Sequence, residues 1–378
     1  MAKISFKTDI YLGTGSLERL SELNGQNIFV VTDPFMVKSG MIDRITDKIA
    51  EKNQFEVFDD IVPDPPIETI VGGVSKLMAF RADVIIALGG GSAIDAAKAI
   101  KDFARKISGL NSVRFIAIPT TSGTGSEVTS FSVITDQAKK TKYPLVSDEF
   151  LPEEAILDPE LVKSVPDFIT ADTGMDVLTH AIEAYVSTDA NDIADALAEK
   201  AVQFVFEFLP RAYQNGNDME AREKMHNASC MAGMAFNLTS LGLNHGIAHV
   251  AGAKLHIPHG RMNALLLPYV IEYNAELKGF ADGVSSAAAI KYAKLAKMLG
   301  LSASNPRVGV RSLINAITSM QKRLNMPTTF RACKLDYAQV EEAKMSIAEG
   351  ALLDGCTKTN PRTPTKEDVI GILNKLSQ

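Results

Sequence analysis

The chain has 378 residues, 46% of them hydrophobic and 22% charged, which is ordinary for a globular protein and predicts two domains. A net charge of −6, with no Lys/Arg cluster, excludes nucleic acids and anionic membranes as expected partners. The three scattered cysteines argue against a disulfide framework and favour the cytoplasm. The N-terminus lacks an apolar signal segment, and no apolar run approaches the length of a membrane span.

The first part of the chain alternates between strand-like and helix-like segments. Continuous apolar runs at 27–33, 82–88 and 114–119 predict strands that are buried on both faces, as in a parallel sheet. Helical patterns at 67–80 and 93–107 separate them. We therefore predict a doubly wound, Rossmann-like α/β domain over residues 1–165.

The pattern changes after Pro166. Apolar residues recur at helical spacing in 193–208 and again in 289–299, and strand-like runs become scarce. These stripes are typical of helix cores. Residues 166–378 are therefore predicted to form an all-α domain.

Three consecutive glycines follow the predicted strand at 84–88. Gly89, Gly90 and Gly91 at a strand-to-helix turn let backbone N–H groups approach a pyrophosphate, and Ser92 is predicted to cap the next helix. The segment does not have the G-x-G-x-x-G spacing, so a tight turn without a ligand is the alternative.

A second polar loop ends the strand at 114–119. Its hydroxyl groups belong to Thr120, Thr121, Thr124 and Ser126. They suit contacts with phosphate or ribose, and a plain polar turn is the alternative. Asp33 ends the first strand, where a carboxylate accepts hydrogen bonds from a ribose diol and repels a 2′-phosphate. It favours NAD(H) over NADP(H), unless it is only a turn residue.

Five of the six histidines fall in two places. The first place holds His180, which shares one helical face with Asp176. The second place, 245–259, holds the other four histidines, His245, His249, His256 and His259. Carboxylate and imidazole together suit iron(II) or zinc, whereas the alternative is a set of structural helix residues. A zinc peptidase is excluded because Gly246 stands where that motif requires a glutamate.

Several long motifs resemble the iron-containing (group III) alcohol dehydrogenases. The segments that carry the resemblance are G-G-G-S-A-I-D-A-A-K, I-P-T-T-S-G-T-G-S-E-V-T, L-D-P-E-L, T-G-M-D-V-L-T-H-A-I-E-A-Y, G-L-N-H-G-I-A-H and H-I-P-H-G-x-x-N-A-L-L-L-P. The stretches K-Y-P-L, G-M-D-V-L-T-H, D-A-L-A-E-K-A and K-M-H-N-A-S look closest to the propanol dehydrogenase branch that occurs with bacterial microcompartments.

The resemblance implies a role for each candidate residue. The metal ligands are Asp176, His180, His245 and His259, and His249 instead faces the nicotinamide and substrate. His226 and His256 are structural. The cofactor-binding residues are Asp33, Gly90, Gly91, Ser92, Thr120, Thr121, Thr124, Ser126, Lys142 and Leu161.

The implied activity is hydride transfer between NAD(H) and a short primary alcohol or aldehyde, such as 1-propanol or propanal. Iron(II), or zinc in its place, acts as Lewis acid, and His249 relays the proton. The chain is expected to be cytoplasmic, a homodimer or larger, and associated with microcompartment proteins. The alternatives are a dehydroquinate synthase-like lyase, which needs more Lys and Arg beside the metal motifs, and a non-catalytic assembly protein.

Overall fold

The computed structural model describes residues 4–49, 51–109, 112–136, 141–277 and 285–377, without the side chains of 141 and 142. It divides into two compact units, Met1–Val165 and Pro166–Gln378. The strands of the first unit are β1 (Asp9–Leu12), β2 (Asn27–Val31), β3 (Gln54–Phe58), β4 (Val84–Gly89), β5 (Arg114–Pro119), β6 (Phe131–Asp136), β7 (Thr141–Val146) and β8 (Glu154–Leu157). Its helices are α1 (Pro34–Lys38), α2 (Asp43–Thr46), α3 (Ile67–Phe80) and α4 (Gly91–Ser108).

Six strands form one parallel sheet in the order β1-β8-β5-β4-β2-β3, and β6 and β7 form an antiparallel pair. Alternate residues of β2, β4 and β5 enter two separate hydrophobic clusters. One cluster includes α3 and α4, and the other includes α1 and α2, so helices cover both faces of the sheet. Burial on both faces is the reason for the unbroken apolar runs, and the doubly wound prediction is confirmed.

The strand order reverses between β2 and β4. From β2 the chain moves outward to β3, then returns through α3 to β4 on the other side of β2. Asp33, Gly90 and Thr120 follow the carboxyl ends of three adjacent strands at this point. In open α/β sheets, ligands bind in the crevice at such a reversal.

The second unit is helical. Its helices are α5 (Asp167–Val186), α6 (Asp192–Gln214), α7 (Met219–Thr239), α8 (Leu243–Leu255), α9 (His259–Asn274), α10 (Ala287–Met298), α11 (Pro306–Arg323), α12 (Tyr337–Leu353) and α13 (Lys366–Leu376). Over the described parts of 166–377 no strand occurs, so the all-α prediction is confirmed.

Helix α5 is the central helix of this unit. It packs against α6, α7 and α9, and its last two-thirds is buried on every side. Helix α8 packs against α9 and α12, and a core cluster joins these helices to α13. None of the helices described combines the length and apolarity needed to cross a membrane.

Candidate metal centre and nucleotide-binding loop

Helix α5 carries a row of polar side chains on one face inside the protein. Asp172, Asp176, His180 and Glu183 follow each other at spacings of four, four and three residues, and all four are buried. Burial of carboxylates is costly unless they are paired or bound to a cation. The partners of this row come from α8 and α9.

The predicted ligand atoms converge on this row. One side-chain donor atom from each of Asp176, His180 and His245 lies within 4.8 Å of the other two. The Oδ1 atom of Asp176 lies 3.5 Å from Nε2 of His245 and 3.7 Å from Nε2 of His259. The rings of His180 and His245 stack with centroids 4.6 Å apart, and the His245 and His259 centroids are 5.3 Å apart.

The side-chain amide of Asn263 occupies the point of convergence. Its Nδ2 atom lies 2.6 Å from Oδ1 of Asp176, 3.0 Å from Nε2 of His245 and 3.1 Å from Nε2 of His259. Asn244 donates to its Oδ1 atom at 2.8 Å and so orients the amide. Two N–H bonds cannot serve three acceptors fully. A cation satisfies such converging lone pairs better, so the residues present fit a divalent metal.

The pKa shifts of Asp176 and His245 also indicate that this site favours a positive charge. Burial opposes ionisation of Asp176, yet the imidazoles of His180 and His259 hold its pKa below the usual range. Desolvation opposes the charged form of His245, but Glu183 and Asp176 outweigh it and raise its pKa to about 9. Although 42% of the His259 side chain is exposed, desolvation of its ring lowers its pKa to about 3. Desolvation therefore opposes protonation of His259.

Glu183 fixes the orientation of His245. Its Oε2 atom lies 2.5 Å from Nδ1 of His245, and its Oε1 atom accepts the backbone N–H of Asn244 at 2.7 Å. A carboxylate on Nδ1 leaves Nε2 as the donor atom for a metal and raises its basicity.

The start of α9 is held closely against α5. Arg261 makes a bidentate ion pair with Asp172, at 3.1 and 3.0 Å. A Cβ atom on Gly260 would lie 2.2 Å from the carbonyl oxygen of Asp172, so only glycine permits this approach. His259 is the first residue of α9, after Pro258.

The other three histidines lie outside this convergence. His249 stacks on His259 with centroids 5.3 Å apart, and its Nδ1 atom lies 2.9 Å from Oδ2 of Asp354. His256 is exposed at the C-cap of α8 in a left-handed conformation. His226 is buried in α7, where desolvation lowers its pKa to about 4.

The glycine loop lies where helix α4 begins. Gly90 is the N-cap residue, so the predicted capping role of Ser92 is wrong: Ser92 lies inside the first turn and makes no side-chain cap. The N–H groups of Gly91 and Ser92 still precede the helical hydrogen-bond ladder, which suits an anion. A Cβ atom on Gly91 would lie 2.7 Å from Cγ2 of Thr124, so glycine allows the two predicted loops to meet.

The remaining hydroxyl groups of the second loop have different surroundings. Thr121 lies beside Gly90, and the N–H of Thr120 donates to the carbonyl of Gly89 at 3.0 Å. The Ser126 hydroxyl is instead buried in an internal network: it donates to Asp95 at 2.6 Å and accepts from Lys98 at 2.8 Å.

Three predicted cofactor residues lie at other positions in the first unit. Asp33 caps α1: its Oδ1 atom accepts the backbone N–H groups of Phe35 and Met36, and its Oδ2 atom lies near Gly89. Leu161 is buried in the hydrophobic cluster on the α1–α2 side of the sheet. Lys142 is in β7, and its side chain lies outside the described residues.

Four residues beside the predicted site residues of the helical unit were not expected from the sequence. Glu183 lies three residues after His180, and Asn263 lies four after His259, so helical spacing could have indicated both. Asp354 and Cys356 are more than 100 residues from His249, and only the tertiary structure brings them to it.

The chain matches known proteins along nearly its whole length. Residues 7–159 match the model of the iron-containing alcohol dehydrogenases, and residues 170–377 match that of the C-terminal part of the same family. The chain is 45% identical to the 1-propanol dehydrogenase PduQ of Citrobacter freundii, with both chains covered completely.

Two solved structures share the fold over nearly the whole chain. An iron-containing alcohol dehydrogenase from Thermococcus thioreducens has a TM-score of 0.89 and 32% identity, with 99% of each chain covered. A sulfoacetaldehyde reductase from Bifidobacterium kashiwanohense, in complex with NAD+, has a TM-score of 0.85 and 30% identity, with 100% of this chain and 99% of that chain covered. The chain belongs to the iron-containing alcohol dehydrogenase family.

Proposed function

We propose that this chain interconverts short-chain primary alcohols and aldehydes by hydride transfer with NAD(H), and that 1-propanol and propanal are one such pair. The observation that carries the proposal is the convergence of Asp176, His245 and His259 beside His180, in a member of this family. The 45% identity to a 1-propanol dehydrogenase supports the substrate class. Neither a lyase nor an assembly protein receives comparable support.

Four side chains would hold the metal: Asp176, His180, His245 and His259. Iron(II) is expected from the family, and zinc accepts the same donor set. When bound, the ion supplies a Lewis acid that polarises the substrate oxygen. Glu183 keeps His245 in the required orientation, and the ion pair of Arg261 and Asp172 holds the start of α9 in place.

In the first unit, we assign the pyrophosphate to Gly90, Gly91 and Ser92, since the N-terminus of α4 provides N–H groups and a favourable helix dipole. Thr121 and Thr124 lie beside these glycines and would contact the cofactor. Asp33 would accept hydrogen bonds from the adenosine ribose through its Oδ2 atom.

We assign proton transfer to His249. Its ring is partly exposed and stacks on His259, while Asp354 orients it through Nδ1. An imidazole can both accept and donate a proton, which suits a relay to or from the alcohol oxygen. His249 is free for this role only if it is not itself a ligand of the metal.

We also propose a cytoplasmic homo-oligomer that associates with a bacterial microcompartment. The likeness to the propanol dehydrogenase branch supports this part. Size-exclusion chromatography with light scattering would measure the assembly, and a monomer at micromolar concentration would contradict it.

The decisive experiment combines metal analysis with turnover. Enzyme reconstituted anaerobically with iron or zinc should oxidise NADH in the presence of propanal. His259→Ala should lose metal, and its activity should fall by orders of magnitude while NADH binding persists. His249→Ala should keep the metal, and its kcat should fall roughly 10–10⁴-fold, because only the relay is lost.

His256→Asn is the matched control, because this exposed histidine caps α8 in a conformation that asparagine tolerates. It should retain both metal and turnover. Full metal and normal activity in His259→Ala would refute the ligand set. Loss of metal in His249→Ala would reverse the assignment of the two histidines.

A further inference from the structure

A second cluster of metal-binding side chains lies next to the first. Among the described residues, His249, Asp354 and Cys356 each offer one donor atom within 4.8 Å of the other two. His249 comes from α8, whereas Asp354 and Cys356 lie at the start of the 3-10 turn Gly355–Thr359, which packs against α8. None of them belongs to the ligand set assigned above.

Asp354 is the centre of this cluster. Its Oδ1 atom accepts the backbone N–H of Cys356 at 2.8 Å, which fixes the carboxylate at the N-cap of the turn. Its Oδ2 atom therefore faces Nδ1 of His249, at 2.9 Å. The Cys356 thiol also hydrogen bonds to Asp354, so one carboxylate joins an imidazole and a thiol.

We propose that His249, Asp354 and Cys356 form a second metal site that binds Zn²⁺, and that its occupation inhibits the enzyme. Thiolate, imidazole and carboxylate are the three ligand types that zinc uses in proteins, and a thiolate selects zinc over magnesium or calcium. Tetrahedral zinc places nitrogen and sulfur ligands about 3.6 Å apart. The three donor atoms of this cluster lie within 4.8 Å of one another.

Binding must displace protons. Zn²⁺ bonds to the Cys356 sulfur and the S–H proton leaves to solvent, while Nδ1 of His249 bonds through its lone pair and carries its proton on Nε2. Burial and the nearby carboxylates of Asp354 and Glu183 raise the pKa of the thiol, so its ionisation reduces the net free energy of metal binding. The site should therefore be weaker than the first one.

The inhibitory effect rests on the proposed function, whereas the binding does not. A zinc-bound imidazole cannot accept a proton at neutral pH, so a filled second site removes His249 from proton transfer. Excess zinc would thus inhibit an enzyme that already carries its first metal.

Cobalt(II) provides a test that reports the sulfur directly. The iron-loaded enzyme is titrated anaerobically with Co²⁺, and thiolate-to-cobalt charge-transfer absorption is recorded in the near ultraviolet. The first ligand set contains no sulfur, so exchange of cobalt into it cannot produce this absorption. We expect one thiolate-bound cobalt per chain.

Cys356→Ser should abolish the absorption and weaken zinc inhibition by at least about tenfold, because it removes a direct ligand. Cys333→Ser is the matched control: it changes another partly buried cysteine of the same unit and should leave both readouts unchanged. If Cys356→Ser does not fold, Asp354→Asn replaces it and should weaken cobalt binding while the thiolate remains.

No charge-transfer absorption in the wild type, or its persistence in Cys356→Ser, would overturn the site. Zinc inhibition that Cys356→Ser leaves unchanged would overturn the inhibitory role and assign the effect to the first metal. The absorption can be read even in an enzyme that turns over no alcohol, so failure of the proposed function is distinguishable from failure of this inference.

Discussion

Glu183→Gln tests whether a carboxylate behind the metal ligands determines metal affinity. The two Glu183 oxygens serve different groups: Oε1 accepts the N–H of Asn244 at 2.7 Å, and Oε2 lies 2.5 Å from Nδ1 of His245. Glutamine has one oxygen and one NH₂ group. Whichever way the amide turns, one of these N–H groups loses its acceptor and faces a donor.

The magnitude follows from that count. A hydrogen bond to a charged group contributes about 1.5–3 kcal/mol, and one of two is lost. Loss of such a partner behind a metal ligand costs about 10–100-fold in metal affinity, which agrees with the same energy range. We therefore expect Glu183→Gln to bind iron or zinc about 10–100-fold more weakly at pH 7.

Metal affinity would be measured by competition with a chromogenic chelator, and circular dichroism would check the fold. Glu199→Gln is the matched control, because Glu199 is a hydrogen-bonded carboxylate of the same unit whose partners are Tyr185 and Lys294. It should bind metal like the wild type. Wild-type affinity in Glu183→Gln, or an equal loss in Glu199→Gln, would refute the reasoning.

Three further predictions concern the cofactor, acid stability and helix packing. Asp33→Asn keeps the cap of α1 but removes the charge, so the ratio of kcat/KM for NADPH to that for NADH should rise about 5–150-fold, which corresponds to about 1–3 kcal/mol; a wild-type preference for NADPH would contradict this. Burial lowers the pKa of His226 to about 4 in the folded protein, so the unfolded chain binds more protons between pH 6.5 and 4. The free energy of unfolding should therefore decrease by about 3 kcal/mol as the pH falls through that range. Urea unfolding of His226→Gln should show a smaller loss than the wild type, and an equal loss would contradict the prediction. Gly260→Ala should push α9 away from α5, lower metal occupancy and reduce the free energy of unfolding by about 1–3 kcal/mol. Gly371→Ala is the control, because this glycine of α13 has open space around it and its replacement should not reduce the free energy of unfolding. Equal metal occupancy in the two variants would show that the close approach is unimportant.

Local patterns in the sequence were sufficient for the architecture. Strands β2, β4 and β5 appear as unbroken apolar runs because helices cover both faces of the sheet. The apolar residues of these strands are then all buried, and the run can be recognised without knowledge of its neighbours. Asp176 and His180 could be paired because helical spacing alone places them on one face of α5.

Tertiary structure decided which groups meet across elements. Ser92 was expected to cap α4, but the cap is Gly90, two residues earlier, and the local sequence does not fix a helix boundary to within one or two residues. Ser126 and Thr124 lie in the same polar loop and both carry a hydroxyl group, so the sequence does not distinguish them. In the structure the Ser126 hydroxyl hydrogen bonds to Asp95 and Lys98 inside the protein.

The histidines show the same division most clearly. Spacing makes His245 and His249 equivalent, since both lie on one face of α8. They differ because Glu183 of α5 contacts the first and Asp354, 105 positions further along the chain, contacts the second. No local pattern encodes such contacts, because chain folding brings together side chains whose separation in sequence carries no periodic signal.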